Sequence, residues 1–142
     1  MEHSLLDWVQ IPTKNLKRAA AFYEAVFDAS FLFENLNEIP HAVFRAGKNG
    51  KKLVNGALIE LPDDKEIGNG PVLFFDATGD FETIMDLIKE NGGEITHAKT
   101  LIVSKESEDS YTIPNTHIDN KPGYFAHFKD SEGNRMGLYG SN

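Results

Sequence analysis

No cysteine occurs in the 142 residues of this chain. That absence excludes a disulfide framework, a thiol nucleophile and a thiolate metal site. Long apolar runs are missing too, and none approaches the roughly 18 residues that a membrane-spanning helix needs. Nothing near Met1 pairs a basic start with an apolar run, as a signal peptide does. The expected compartment is therefore cytoplasmic, with no membrane partner. Basic residues are in the minority, 14 against 22 acids, for a net charge of −8. Phosphate backbones require a basic footprint, so no nucleic-acid partner is expected. An acid surplus is ordinary for a protein of this kind, and it would also assist the approach of a cationic small molecule.

Signature loops are also absent. Twelve glycines occur, but no G-x-G-x-x-G, Walker loop or G-x-S-x-G elbow contains them. The histidines form no H-x-x-x-H or H-x-E pattern, so His3, His41, His97 and His117 read as surface or edge residues. What remains is an ordinary globular mixture, 40% hydrophobic and 25% charged, long enough for one sizeable core.

The chain reads as one pattern written twice. In "SLLDWVQIPTK" the period is that of a strand, with Leu6, Trp8, Gln10 and Pro12 on one face and Leu5, Asp7, Val9 and Ile11 on the other. Asn15 is placed to cap a helix over "LKRAAAFYEAVF". Three strand-like runs follow, "FLFENL", "HAVFRAG" and "VNGALIEL", with "GKNGKK" as the turn before the last. Residues 62–70 read as a polar linker. Then "PVLFFDAT" is a strand, Asp80 caps "FETIMDLIKEN", and Gly92 and Gly93 stop that helix. "EITHAKTLIVS", "GYFAHFKD" and "NRMGLYG" supply three more strands. Trp8 precedes Asn15 by seven residues and Leu73 precedes Asp80 by seven, so a shift of 65 superposes the halves. Each half is βαβββ, and the predicted class is α+β.

This doubled order, with "VQIPTKNLKRAAAFYEAVF" near the start and "GYFAHFKDSEGNRMGLYG" at the end, resembles the vicinal oxygen chelate superfamily of glyoxalase, bleomycin-resistance and dioxygenase proteins. The resemblance implies a single domain over residues 1–142, with module one at about 4–61, the linker at 62–70 and module two at about 71–142. It implies curved mixed sheets around a cleft, with the helices outside. It also implies metal ligands on the first and last strand of each module. Carried over, those positions are Trp8, Gly56 or Ala57, Leu73 and Gly137. None has a donor for a hard divalent ion, so no metal and no other cofactor is expected there.

The resemblance and the strand parity together suggest a ligand-binding set of Trp8, Gln10, Leu73, Phe75, His127, Gly137 and Tyr139. These would line an aromatic cleft that holds a small organic molecule without the usual metal, as bleomycin-resistance proteins hold a drug. The alternative is a glyoxalase-like lyase or isomerase. It would use a divalent metal displaced onto Gln10, Glu60 and His127, or His127 as general base, with Gln10 and His127 as the catalytic candidates. Phe22, Tyr23, Phe27, Phe31, Phe33 and Phe44 read as core. Asp130, Glu132, Gly133 and Asn134 read as a turn in which Gly133 supplies an unusual backbone angle. The family likeness and the apolar runs "FLFENL" and "LIVS" suggest a homodimer.

Overall fold

The structure, a computed structural model, describes residues 6, 8–45, 54–63, 67, 70–104, 113–114 and 121–142. The turn expected at 47–52 lies outside the described residues, as do His3, His117 and residues 64–66 and 68–69 of the expected linker. By internal contacts the chain forms two units, Met1–Asn69 with Ser131–Asn134, and Gly70–Asp130 with Arg135–Asn142.

In the first unit, β1 (Val9–Thr13) leads into α1 (Leu16–Phe27), followed by β2 (Ser30–Leu36), β3 (Ile39–Arg45) and β4 (Gly56–Glu60). The sheet order is β1-β4-β3-β2, with β1 parallel to β4 and the other neighbours antiparallel. Pro12 is tolerated in β1 because that strand is an edge, where a missing N–H breaks no ladder on its outer side. Alternation then decides burial. Ile11 and Thr13 point toward the helix and are fully buried, while Gln10, one residue before Ile11, is exposed. The helix returns Leu16, Ala19, Ala20, Tyr23 and Val26 to the same core, with Tyr23 edge-on to Phe44 at 6.2 Å. Each fully buried large side chain here contributes about 1.5–3 kcal/mol.

Asn15 caps α1 as the sequence indicates, its side chain accepting the Arg18 N–H at 3.0 Å. The helix stops where Asp28 turns left-handed at φ 56°. Between β2 and β3 the register pairs Leu36 with Ile39, which leaves a two-residue loop. Both loop residues, Asn37 and Glu38, have positive φ, at 50° and 66°. Asn tolerates this conformation; Glu is an unusual occupant. Phe33, expected in the core, is 51% exposed on β2, the outer edge strand of the sheet.

The second unit repeats the plan with β5 (Leu73–Asp76), α2 (Phe81–Glu90) and β6 (Glu94–Leu101). The short ribbon β7 (Val103–Ser104) and β8 (Ile113–Pro114) follows, then β9 (Gly123–Lys129) and β10 (Arg135–Ser141). The order is β5-β10-β9-β6, with β5 parallel to β10. The expected strand "EITHAKTLIVS" breaks after Leu101, where the Ile102 N–H donates to Gly123 O at 2.9 Å. Asp80 stands at the start of α2, but its side chain makes no capping bond. Asn91 ends the helix, and Gly92, at φ 91°, lets the Gly93 N–H return to Ile88 O at 2.8 Å.

Candidate functional site

Helix α2 covers one face of the second sheet and leaves the other open. Met136, Leu138, Ala126, Phe128 and Phe75 are buried on the helix side, and Phe81 of the helix meets Tyr124 there with ring centres 6.4 Å apart. Register pairs share a face, so Gly137, His127 and Phe74 occupy the open side, with Tyr139 and Phe125 one step further along. Phe74 is 49% exposed and Tyr139 39%.

This arrangement corrects two of the expected site residues. Leu73 and Phe75 lie on the helix side, Leu73 beside Met136 and Phe75 beside Leu138, with Phe75 packed near Phe128 at 6.3 Å. The seven-residue spacing to the cap misled by one position. Val9, Ile11 and Thr13 correspond by face to Leu73, Phe75 and Ala77, a shift of 64 rather than 65. The extra residue is taken up before α2, in a turn where Gly79 has φ 80°. Phe74 is therefore the open-face residue of β5. Its ring also fills the space that the absent side chain of Gly137 leaves. A Cβ on Gly137 would meet Phe74 ring carbons at 2.3 Å, so glycine is what lets the ring lie over β10.

His127 lies at the centre of an aromatic cluster. Its ring centre is 5.6 Å from Phe74, 5.5 Å from Phe125 and 5.8 Å from His97. His97 in turn stacks on Phe125 at 5.1 Å with planes 9° apart. His97 is on edge strand β6, as an edge residue should be, yet it is not solitary. The register of β6 against β9 slips between Ile95 and His97, and the slip sets His97 opposite His127 on the open face. A second slip before Thr100 restores the original alternation, so only the stretch around His97 is turned, and simple alternation carries no trace of it.

In the first unit, Trp8 is 48% exposed and Gln10 is exposed beside it in sequence parity. Gln10 pairs with Ala57 and Val9 with Gly56, so Ala57 is the β4 residue on the face of Gln10. Glu60 belongs to the opposite face. It pairs with buried Thr13, and its Oε1 accepts the Leu16 N–H at 3.1 Å at the start of α1. Gln10 and Glu60 therefore do not converge, and the displaced set loses its carboxylate. Trp8, Ala57, Phe74 and Gly137 also lack the nitrogen or oxygen donors that a divalent ion requires. The residues at the family's ligand positions do not fit a metal. Among the described residues no group of three or more His, Asp or Glu could hold one.

Glu132, read as a turn residue, has a further task. Gly133 makes the turn at φ 88°. Glu132 Oε1 accepts the N–H groups of Lys14 and Asn15, each at 2.9 Å, while Arg18 donates through Nε to Oε2 at 2.6 Å and through Nη2 to Oε1 at 2.9 Å. The Glu132 side chain is fully buried and that of Arg18 is 54% exposed. Burial alone would push the carboxyl up. The hydrogen bonds from Arg18, Asn15 and Lys14 and the charge of Arg18 outweigh it and hold the group below the usual carboxylate range. The same hydrogen bond raises Arg18. Helix α1 has no acid in its own first turn. Glu60 and Glu132 supply two from distant positions, where negative charge is favoured by the helix dipole.

Among the described residues, no helix is long and apolar enough to cross a membrane. No curated protein sequence matches this chain. Solved structures do resemble it. A glyoxalase/bleomycin resistance protein from Albidiferax ferrireducens T118 superposes with a TM-score of 0.59 at 15% identity, over 96% of this chain and 99% of that one. A genomically encoded fosfomycin resistance protein, FosX, from Listeria monocytogenes gives 0.59 at 15% identity, over 99% and 96%. The same protein complexed with Mn(II) and sulfate gives 0.59 at 14%, over 100% and 95%. At such identities the likeness speaks for the fold. The profile of one superfamily, however, matches residues 5–138, nearly the whole sequence. On that match and this fold, the chain belongs to the Glyoxalase/Bleomycin resistance protein/Dioxygenase superfamily.

Proposed function

We propose that this protein binds a small, planar organic molecule through the open face of its second sheet, without a metal at the family's ligand positions. The observation that carries the reading is the cluster of Phe74, Phe125, His127 and Tyr139, with Phe74 and Tyr139 left substantially exposed. Flat apolar surface beside imidazole nitrogens suits a ring-bearing ligand with a polar substituent. Gly137 contributes by lying under the Phe74 ring rather than by opening space. The net charge of −8 favours a cationic ligand among otherwise equal candidates.

A second reading is supported by His127 itself. Among the described residues its ring makes aromatic contacts and no hydrogen bond, so a nitrogen is available to take a proton from a bound substrate. That would make the protein a lyase or isomerase in which His127 acts as general base. The flanking rings would fix its orientation.

Backbone amide NMR with a set of planar aromatic amines and acids tests the first reading. Binding should shift the signals of Phe74, Phe125, His127 and Tyr139, persist in the presence of a chelator, and weaken at least tenfold in Phe74→Ala. Shifts confined to other surfaces, or binding abolished by the chelator, would overturn the proposal. Turnover of a bound compound that is lost in His127→Asn would move the assignment to the second reading.

A further inference from the structure

The His97–His127 pair carries an inference that does not depend on the organic ligand. Thr100 Oγ1 lies 2.8 Å from Ala98 O, to which it donates, and 3.1 Å from His97 Nε2. A hydroxyl has one proton, and with that proton on the carbonyl only its lone pairs face His97. The remaining contact must therefore run the other way, with His97 Nε2–H donating to Thr100 Oγ1. In neutral His97 this leaves the lone pair on Nδ1. A histidine that ligates a metal is held in the same manner, with its second nitrogen donating to a fixed acceptor that sets the tautomer and ring orientation. Stacking on Phe125, 9° from parallel, holds the ring further.

The separation also fits. Two imidazoles bound to one tetrahedral ion at about 2.0–2.1 Å have ring centres roughly 5–5.5 Å apart. The observed centres are 5.8 Å apart with planes at 55°. With His97 held by Thr100 and Phe125, a small rotation of the His127 side chain closes the difference.

We infer that His97 and His127 form a two-imidazole clip for a borderline divalent ion of the zinc class, on the next two strands of the sheet from the one that carries the family's ligand position at Gly137. The chain has no cysteine, and among the described residues no third His, Asp or Glu joins the pair. Two nitrogen donors select zinc over magnesium or calcium, which require oxygen ligands. Water or a ligand atom completes the shell, so the ion is exchangeable.

Zinc chloride titrated into the whole chain, read by the imidazole signals of its five histidines, is the test. The clip requires His97 and His127 to shift together, saturably, at one ion per chain, while magnesium at equal concentration leaves both unmoved. Affinity should fall at least tenfold in His97→Asn and in His127→Asn, and about tenfold in Thr100→Val, the effect typical of losing an outer partner of a ligating histidine. Thr100→Val bears on the clip alone and Phe74→Ala on the organic ligand alone, so the two proposals fail separately. Zinc that moves only other histidines, or shifts that disappear with added salt as exposed acid binding would, overturns the clip. The wild-type signals decide this even if a variant does not fold.

Discussion

Replacing Glu132 by alanine should destabilise the protein far more than replacing its ion-pair partner Arg18. The carboxylate receives the Lys14 and Asn15 amides at 2.9 Å each, from a side chain with no exposed surface. Hydrogen bonds to a charged group are worth about 1.5–3 kcal/mol each, and less where water can replace them. The Asn15 amide is exposed and the Lys14 amide part-buried, so the pair together contributes about 3 kcal/mol. Arg18 is more than half exposed, and a screened pair of that kind contributes under about 1 kcal/mol. Urea unfolding followed by circular dichroism should show Glu132→Ala losing about three times as much stability as Arg18→Ala. The acid limb gives a second reading. Because the carboxyl is held below its usual range, the unfolded chain binds its proton more readily than the folded chain. Its contribution is complete above the unfolded value, near ~4.3, and is lost as pH falls through the lower folded value. The gap between wild type and Glu132→Gln should therefore narrow on acidification. Equal losses in the alanine variants, or a gap independent of pH, would refute capping by the carboxylate and leave the ion pair as the main term.

Gly56 and Gly137 should respond differently to alanine, as thermal melts can show. A Cβ at Gly56 would stand 2.1 Å from the Val9 carbonyl oxygen, which is backbone and cannot yield, so a loss above about 3 kcal/mol is expected. At Gly137 the obstacle is the half-exposed Phe74 ring, which can swing away, so under about 1 kcal/mol is expected along with altered Phe74 signals. Glu38→Gly should stabilise the β2–β3 hairpin by about 0.5–1 kcal/mol by relieving a side chain held at φ 66°. Light scattering at micromolar concentration should give a dimer mass, with the exposed Leu32, Phe33 and Val103 of the two apolar runs protected from solvent; a monomer mass would remove that expectation.

The doubled βαβββ order and both helix starts were legible in the linear chain, because strand and helix periods and capping residues are local properties. Asn15, Gly92 and Gly133 stand where their local chemistry requires, and Asp80 marks the start of α2 although its side chain makes no capping bond. The core face of β1 was legible for the same reason, since Ile11 and Thr13 alternate with exposed Gln10. Local pattern could not settle "LFFD", in which adjacent phenylalanines suit either face. Only pairing with β10 decided that Phe75 is buried and Phe74 open. The bulge in β6 that brings His97 to His127 is a property of the pairing between two strands and not of either sequence. The same holds for Glu60 and Glu132, which the sequence offers as a displaced metal ligand and a turn residue. Their carboxylates found the unsatisfied amides of a helix start 44 and 117 residues away, at Leu16 and Asn15. Sequence determines which groups need partners; the tertiary fold alone decides which distant groups supply them.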